Sequence, residues 1–367
     1  MKIKTLELKN FRNYSEETFE FIDGINVLTG ANAQGKTNAG EAVFLLCTGY
    51  SPRANKDKQL VKMGESKASV ACKAETRYGD ISVKIDFTAD GKKEIHVNGV
   101  AVLRVGELLG NVNSVFFNPS ELKLVQESPE DRRRFLNIAL SQMSKNYFYA
   151  LGRYNKILMQ RNNLLKDKDR DMILDTLPIW DLELVKYASR IVFDRNEFLQ
   201  KLSPLAQTAH SVLSDGKEEL KISAESGYTG SVEEIKESIL QDLKNAYEKD
   251  MRLGFTTVGQ HRDDIKIQLN GIDVKTYGSQ GQQRTVALSI KLAEAELFNE
   301  RFGEYPILIL DDVLSELDKN RQKRLIAYVD KMQTILTCTN VEKSLFGGRA
   351  FNKLIIADGK IKKSRKK

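Results

Sequence analysis

Residues 30–37 constrain the fold of this chain more than any other segment of its sequence. They read Gly-Ala-Asn-Ala-Gln-Gly-Lys-Thr and match the phosphate-binding P-loop pattern, in which four variable residues separate Gly from Gly-Lys-Ser/Thr. The apolar residues Ile25–Thr29 before the loop predict a short buried strand, and residues 38–47 after it predict a helix. Strand, loop and helix in this order are the setting in which the pattern binds a nucleotide.

The loop offers both backbone and side-chain contacts to phosphates. Its glycines let backbone N–H groups converge on phosphate oxygens, and the positive end of the helix points at the same place. We expect Lys36 to reach the β- and γ-phosphates and the Thr37 hydroxyl to bind Mg²⁺. The predicted nucleotide-binding residues are Gly30, Ala31, Asn32, Ala33, Gln34, Gly35, Lys36 and Thr37.

Two acidic residues follow an apolar strand late in the chain. Residues 307–310 are all apolar and lead directly into Asp311 and Asp312. A buried central strand would bring Asp311 beside the P-loop to hold Mg²⁺ in the Walker B role, and Asp312 would orient or deprotonate the attacking water. The alternative is a strand that simply ends at an acidic cap. The predicted catalytic residues are Lys36, Asp311 and Asp312, and the predicted Mg²⁺ ligands are Thr37 and Asp311.

The order of the predicted elements indicates an α/β core interrupted by a helical insertion. Strand-like runs dominate residues 1–118 and return from residue 254, whereas residues 119–253 are mainly helical. We assign residues 1–118 and 254–367 to one lobe, lobe I, and residues 119–253 to an inserted lobe II. In the second part of lobe I, three buried strands are predicted at 307–310, 334–338 and 354–357.

Turn and helix signals predict finer boundaries. Asn98-Gly99 and Asn270-Gly271 are hairpin turns, the second joining strands at 265–269 and 272–277. Ser128 and Pro129 indicate a helix start. Longer helices are predicted at 140–165 and 179–213, joined by a charged turn at 166–171. Neither helix is long enough for a coiled-coil arm of hundreds of residues.

Charge and cysteine content narrow the class of protein. A net charge of +7 and a pI near 9.0 suggest a polyanionic partner, although the basic run 360–367 also fits a solvated chain end. The cysteines Cys47, Cys72 and Cys338 are scattered among apolar residues, as expected for reduced thiols. Charged residues interrupt the N-terminus and no apolar run reaches the length of a membrane span. We therefore predict a cytoplasmic protein that does not bind a membrane.

A glycine-containing segment at 278–284 precedes a helix predicted at 282–301. It reads Gly-Ser-Gln-Gly-Gln-Gln-Arg, and small residues before a helix form a second anion-binding terminus. Because the P-loop already holds its own nucleotide, this terminus needs another phosphate; the alternative is an ordinary flexible turn. The segment resembles the signature motif of the ABC-type ATPase superfamily, which faces the γ-phosphate bound by the other subunit. The resemblance implies nucleotide contacts from Ser279, Gly281 and Gln282, and residues 315–318 similarly resemble the D-loop at the dimer interface.

Within that superfamily, motifs along essentially the whole chain resemble the RecF family of bacterial recombination mediators. They lie at 8–14, 30–37, 132–136, 154–162, 261–264 and 310–318, in the family's order. The resemblance implies an ABC-type P-loop ATPase head as lobe I, a helical lobe II, no long coiled coil, and an ATP-dependent homodimer that binds DNA. It also implies work beside RecO and RecR at gapped DNA, recombinase loading and a link to the SOS response. Arg12 and Asn13 are implied to contact ATP, although a structural turn is the alternative.

Some features depart from the wider superfamily or stay open. The second acid is Asp312 where transporter-type ATPases carry glutamate, and Thr339 and Asn340 stand where a switch histidine is expected, which suggests slow turnover. Gly40 inside the P-loop helix costs ~1 kcal/mol relative to alanine, without a functional reason in the sequence. The alternative function is the ATPase energy module of a transporter or nuclease complex. The sequence does not distinguish single-stranded DNA, duplex DNA and a gapped junction as the expected partner.

A run of three arginines also stays open. Residues 132–134 lie one turn into the helix that begins near Pro129, and successive helical residues point about 100° apart. At most two of these side chains can therefore face one phosphate backbone. The alternative is that they form ion pairs with Glu130 or Asp131.

Overall fold

The computed structural model describes residues 1–167 and 170–362, so positions 168–169 of the predicted charged turn and 363–367 of the basic tail lie outside the described residues. The strands, in chain order, are β1 (Lys2–Lys9), β2 (Glu16–Glu20), β3 (Ile25–Thr29), β4 (Lys67–Thr76), β5 (Gly79–Thr88), β6 (Lys93–Val97), β7 (Val100–Val102), β8 (Ser114–Phe117), β9 (Leu220–Ala224), β10 (Ile265–Leu269), β11 (Ile272–Asp273), β12 (Ile307–Asp311), β13 (Thr334–Cys338), β14 (Phe351–Ala357) and β15 (Lys360–Lys362). The helices are α1 (Lys36–Thr48), α2 (Val105–Leu108), α3 (Lys123–Gln126), α4 (Pro129–Met143), α5 (Lys145–Leu164), α6 (Arg170–Ser214), α7 (Val232–Asn245), α8 (Tyr247–Leu253), α9 (Val274–Tyr277), α10 (Gln280–Phe302) and α11 (Lys319–Val329). Short 3₁₀ turns lie at Asp57–Leu60, Pro119–Leu122, Gln260–Arg262, Leu314–Glu316 and Lys343–Phe346.

The sheet that carries the P-loop has the spatial order β15-β14-β3-β13-β12-β8. All neighbouring strands except β15 run parallel. Every residue of β3, β12 and β13 is buried, as expected for central parallel strands covered on both faces. Because parallel strands end at the same edge, the P-loop after β3 and the acids that end β12 meet there.

A second, antiparallel sheet has the order β2-β1-β4-β5-β6-β7. Buried and exposed residues alternate along β4, so one face of the sheet packs inward and the other meets solvent. One hydrophobic core joins this sheet, through residues such as Leu6 and Val70, to Ile309 and Ile335 of the parallel sheet, with α1 between them. This explains why α1 is apolar and buried nearly all around rather than amphipathic.

Helices α4, α5, α6 and α10 contribute to a second core, which also contains residues of β3, β12 and β13. The long helix α6 packs against α5 and α7 of the helical insertion and against α10, which follows the signature segment. A small sheet of order β11-β10-β9 joins Leu220–Ala224 to Ile265–Leu269. Strand β9 belongs to the predicted lobe II and strand β10 to the predicted lobe I, so this sheet joins the two. The boundary between the lobes near residue 253 remains a proposal.

Four sequence-based boundaries were wrong or incomplete. The helix predicted at 140–165 is two helices, because Ser144 leaves the helical conformation after α4 and its hydroxyl caps α5 by accepting from the Tyr147 N–H. Helix α6 begins at Arg170 and not after Pro178, which it contains. The strand predicted at 272–277 ends at Asp273, whose side chain caps the short helix α9. Strand β9 was not predicted; it lies in the range that we took to be mainly helical.

Candidate nucleotide-binding site

The P-loop conformation depends on two glycines that other segments crowd. Gly30 has φ 155° and a Cβ added there would lie 2.2 Å from the carbonyl oxygen of Ile356. Gly35 has φ 114°, and its added Cβ would lie 2.8 Å from the Asn13 side chain and 2.9 Å from the Tyr14 hydroxyl. The loop is therefore held from both sides, by strand β14 and by the turn after β1, and neither position accepts a side chain.

Lys36 and Thr37, the first residues of α1, carry the polar groups of the loop. The Lys36 Nζ donates to the carbonyl oxygens of Gly30 and Ala31, both at 2.7 Å. The Thr37 hydroxyl donates to Asp311 Oδ1 at 2.9 Å, which joins the loop to the end of β12. The structure therefore brings the predicted P-loop and Walker B residues together.

Asp311 is a buried carboxylate surrounded by hydroxyls. Its Oδ1 also accepts from the Thr337 hydroxyl of β13 at 2.5 Å. Burial raises the pKa of Asp311, while the hydrogen bonds from Thr337 and Thr37 and the positive charge of Arg53 oppose that rise. A buried carboxylate beside the Thr37 hydroxyl is a set of oxygen ligands suited to a hard divalent cation, so the residues fit Mg²⁺.

Asp312 leaves the sheet in an unusual conformation. Its φ is 54°, a region that Asp tolerates better than most residues, and its N–H donates to the Thr337 hydroxyl at 3.1 Å. The side chain is exposed and lines a cavity of about 370 Å³ together with Thr339 and Asn340. The backbone turn thus separates two neighbouring acids, with Asp311 inside the site and Asp312 open to incoming water.

Arg12 and Asn13, implied as nucleotide contacts, both make contacts within the protein. The Arg12 guanidinium forms a two-pronged ion pair with Glu41, at 2.9 Å from Nε and 2.6 Å from Nη2, and Nη1 donates to the Gln59 carbonyl. The Asn13 amide donates to the Gln34 carbonyl of the P-loop at 2.9 Å and accepts from Asn38. Both residues brace the loop region, and direct contact with a nucleotide stays a prediction.

Sequence reasoning missed the partners that hold these residues. Glu41 is fully buried in α1, and a lone acid in an apolar helix was the available signal. Arg53 donates to the Asn38 side chain at 3.0 Å and lies 3.6 Å from Glu41, so its charge sits near the site. Thr337 lies in a strand that was predicted correctly, but only the register of β12 beside β13 places it opposite Asp311.

The structure also explains Gly40. A Cβ added at this position would lie 3.0 Å from the Ile309 Cγ2 methyl and 3.7 Å from the Phe116 ring. Helix α1 therefore approaches the parallel sheet more closely than an alanine would comfortably allow. Close packing against β12 and β8 therefore favours glycine at this position, which the sequence could not show because the contact joins distant segments.

The signature segment lies at the start of α10, with its own internal capping. The Ser279 hydroxyl accepts from the Gln282 N–H at 3.2 Å, and Gln282 Oε1 accepts from the Ser279 N–H at 2.8 Å. Ser279 is exposed, and Arg284 pairs at 3.3 Å with Glu316 of the D-loop segment. Among the hydrogen bonds of residues 1–167 and 170–362, none joins 278–282 to the P-loop. One chain therefore presents the two predicted ATP faces separately.

The three arginines at 132–134 are held by lobe I. Arg132 forms a two-pronged ion pair with Asp264, at 2.5 and 2.7 Å, and Arg133 donates to the Asp263 carbonyl at 2.8 Å. Arg134 is exposed and donates to the Pro52 carbonyl. The structural alternative was right for Arg132, but its acid is Asp264 and not Glu130 or Asp131.

Comparison with known proteins places this geometry in a family context. A family model described as the RecF/RecN/SMC N terminal domain matches residues 2–354. The DNA replication and repair protein RecF of Alkaliphilus oremlandii is 42% identical over 347 residues, covering 93% of this chain and 94% of that protein. The protein of the same name from Lachnoclostridium phytofermentans is 43% identical over 344 residues, covering 94% of each.

Solved structures give the same picture. A structure described as the recombination mediator protein RecF-ATP in the RecFOR pathway superposes with a TM-score of 0.89 at 35% identity, covering 98% of this chain and 97% of that one. An Smc head bound to the C-winged helix domain of ScpA superposes at 0.59 with 16% identity over 99% of this chain and 96% of that one, which supports the fold alone. Within residues 1–167 and 170–362, no helix combines the length and apolar character needed to cross a membrane.

Proposed function

This chain belongs to the RecF family of DNA replication and repair proteins, and we propose that ATP binding closes two copies of it on DNA. It is a recombination mediator with an ABC-type ATPase head and it binds ATP. The observation that carries the proposal is the separation of the two ATP faces. The P-loop and Asp311 contact each other within one chain, whereas no hydrogen bond among residues 1–167 and 170–362 joins the exposed signature segment to the P-loop.

On the P-loop face, a bound nucleotide replaces hydrogen bonds that the loop makes to itself in this structure. Lys36 Nζ, now bonded to the Gly30 and Ala31 carbonyls, turns to the β- and γ-phosphates as a stronger, charge-assisted partner. Thr37 and Asp311 would hold Mg²⁺, which when bound neutralises phosphate charge. Asp312, exposed beside this point, orients the attacking water and accepts its proton. Hydrolysis is slow and resets the protein.

On the signature face, the neighbouring subunit completes the site. The Ser279 hydroxyl, the Gly281 N–H and the N-terminus of α10 face the γ-phosphate bound by the other copy. The Arg284–Glu316 ion pair links this helix to the D-loop segment, so both interface elements belong to one surface. ATP therefore acts as a bridge between two copies.

DNA is the proposed polyanionic partner, as single strand, duplex or gapped junction. A net charge of +7 per chain doubles on dimerisation and favours phosphates. We further propose action with RecO and RecR to load the recombinase at gaps, support of the SOS response, and a cytoplasmic location. The relatives' names favour this role over the energy module of a transporter or nuclease complex.

DNA binding measured across a salt series tests the proposal. Fluorescence anisotropy with ATP should show high affinity that falls with salt at a log–log slope of about −0.9 per phosphate contact. Affinity should be clearly weaker with ADP or without nucleotide, and Lys36→Ala should weaken it although Lys36 lies in the nucleotide site. A chain ending at Lys362 is the control for simple charge loss and should bind more tightly than Lys36→Ala. Equal DNA affinity in all nucleotide states would contradict the ATP switch.

A further inference from the structure

The side chain of Gln282, in the first turn of α10, is held at both ends of its amide. Its Oε1 accepts from the Ser279 N–H at 2.8 Å within the capping box. Its Nε2 donates to Glu218 Oε1, also at 2.8 Å. The first bond is local to the signature segment, whereas the second reaches a residue that lies 64 positions earlier in the chain. The orientation of this amide is therefore set partly from outside the motif.

Glu218 is in turn fixed by a buried histidine. Its Oε2 lies 3.0 Å from His210 Nε2, and His210 Nδ1 lies 3.2 Å from the Ser289 hydroxyl of α10. Burial lowers the pKa of His210, so the ring is neutral near pH 7. A carboxylate can only accept, so the neutral ring donates from Nε2 to Glu218. Both carboxylate oxygens of Glu218 thus have a defined donor.

The anchor belongs to the helical insertion and not to the signature helix. His210 lies in the last turns of α6, where its side chain is fully buried, and Glu218 lies in the loop between α6 and β9. The same loop contacts the D-loop helix α11, because Arg324 donates to Asp215 at 2.6 Å. The loop after α6 therefore contacts both the signature helix α10 and helix α11, which follows the D-loop segment.

We propose that Glu218 is a positioning residue for the signature motif, holding the Gln282 amide in the orientation that the neighbouring copy's nucleotide requires and tying it to α6. The inference rests on the proposed ATP-bound dimer. A glutamine side chain has several rotatable bonds, and ordering them at the moment of dimerisation opposes association. An amide already fixed by Ser279 and Glu218 avoids that loss.

The negative charge of Glu218 should oppose phosphate binding, and this effect must be separated from the positioning of Gln282. A carboxylate close to the start of α10 weakens the positive potential that a γ-phosphate meets there. Glu218→Gln removes the charge but keeps a carbonyl oxygen for Gln282 Nε2. Its new amide can donate to His210 Nε2 once the ring proton moves to Nδ1, which faces the Ser289 hydroxyl. Glu218→Ala removes both the charge and the anchor.

The test compares wild type, Glu218→Ala, Glu218→Gln and the exposed neighbour control Glu219→Ala. Sedimentation with a non-hydrolysable ATP analogue measures the protein concentration at half dimer, and fluorescent nucleotide titration measures the affinity of the monomer. We expect Glu218→Ala to raise the half-dimer concentration about tenfold, as for loss of one hydrogen bond to a charged group. ATP affinity of the monomer should stay within about twofold, because Glu218 lies outside the P-loop face. Glu218→Gln should restore most of the dimer and Glu219→Ala should match wild type.

Hydrogen exchange of the monomer gives a readout that does not depend on dimerisation. Glu218→Ala should raise exchange of the backbone amides in the first turn of α10, and Glu218→Gln should not. Unchanged exchange and dimerisation in Glu218→Ala would overturn the inference, as would tighter dimers in both Glu218 variants, which would show that the charge opposes association. A wild-type protein that stays monomeric with ATP would instead refute the proposed dimer, while exchange still decides whether Glu218 anchors Gln282.

Discussion

The P-loop face and the signature face of the ATP site are built in opposite ways. The P-loop is held by residues from distant segments, including Asn13, Ile356 and Asp311, and its lysine is buried. The signature segment is held mainly by its own capping box and exposes Ser279 to solvent. The difference supports the proposal that the P-loop face binds ATP within a single chain, whereas the signature face acts only after a second copy has associated.

This contrast predicts that substitutions on the two faces change different free energies, that of ATP binding and that of dimerisation. Changes on the P-loop face should alter the affinity of a single chain for ATP, because its contacts close within that chain. Changes on the signature face should leave that affinity intact and alter association. A signature-face variant that changes ATP affinity and dimerisation equally would contradict this division between the two faces.

The largest expected effect is that of Lys36→Ala. The change removes the cation that the loop places on two phosphates, and ATP affinity should fall by about 100-fold or more, with dimerisation lost as a consequence. Isothermal titration with ATP and Mg²⁺ measures it directly. Lys353→Ala, an exposed lysine of the adjacent strand β14, is the matched control and should bind ATP normally. Wild-type affinity in Lys36→Ala would refute the P-loop assignment.

Asp312→Asn should separate binding from hydrolysis. The amide keeps the shape of the side chain but cannot accept the proton of the attacking water, so hydrolysis should fall by about 100-fold. ATP affinity should persist through Lys36, Thr37 and Asp311, and ATP-bound dimers should live longer. Phosphate release and dimer lifetime are the measurements. Unchanged hydrolysis would show that the exposed acid has no catalytic role, despite its position beside Asp311.

On the signature face, Ser279→Arg should block dimerisation without changing the ATP affinity of the monomer. A long cation at this exposed cap fills the place intended for the partner's phosphate, so dimers should weaken by about tenfold or more, beyond the ~1 kcal/mol that loss of a serine cap costs. Ser279→Asn, which retains a good cap, controls for that loss. Sedimentation with ATP checks both variants.

Mixing the Ser279→Arg and Lys36→Ala proteins gives the strictest test of the contrast. A mixed dimer has one composite site with an intact P-loop facing an intact signature segment, so partial hydrolysis should return. Absence of any recovery, together with normal dimers in Ser279→Arg, would place the whole site within one chain.

The two faces also differ in how far the sequence predicts them. The strand before the P-loop and the strand that ends at Asp311 were predicted and confirmed, because each is a local apolar pattern next to a recognisable motif. The Arg12–Glu41 pair and the Asp311–Thr337 contact were not predictable, since they depend on the register of strands and turns far apart in the chain. On the signature face the capping box is local, but the Glu218 anchor joins two elements across the fold.

The helix boundaries show the same division between local and tertiary information. The helix predicted to begin at residue 179 begins earlier, and packing of α6 against α5, α7 and α10 accommodates Pro178 inside a 45-residue helix. Strand β9 was missed because the alternation of apolar and polar residues in Leu220–Ala224 is short and lies in a range that otherwise predicts helices. Pairing with the distant strand β10 stabilises it as a strand.

The smallest expected effect compares two glycines in helices that support different parts of the molecule. Alanine in place of a helical glycine gains ~1 kcal/mol of intrinsic helix stability. At Gly152 of α5 nothing lies within 4 Å of the added Cβ, so Gly152→Ala should raise the melting temperature. At Gly40 the added methyl meets Ile309 at 3.0 Å in a fully packed core, and overpacking costs about 1–3 kcal/mol, which offsets or exceeds the gain.

Gly40→Ala should therefore lower the melting temperature or leave it unchanged, opposite in sign to Gly152→Ala. The rise for Gly152→Ala, and any fall for Gly40→Ala, should be on the order of 2 °C, within reach of parallel calorimetric scans. Because α1 begins at the P-loop lysine, any displacement of α1 away from Ile309 also moves Lys36 and Thr37, and a small loss of ATP affinity should accompany Gly40→Ala alone. Equal stabilisation by both substitutions would mean that the parallel sheet moves to accommodate the new methyl group. Helix α1 would then be packed less rigidly against Ile309 than the structure indicates.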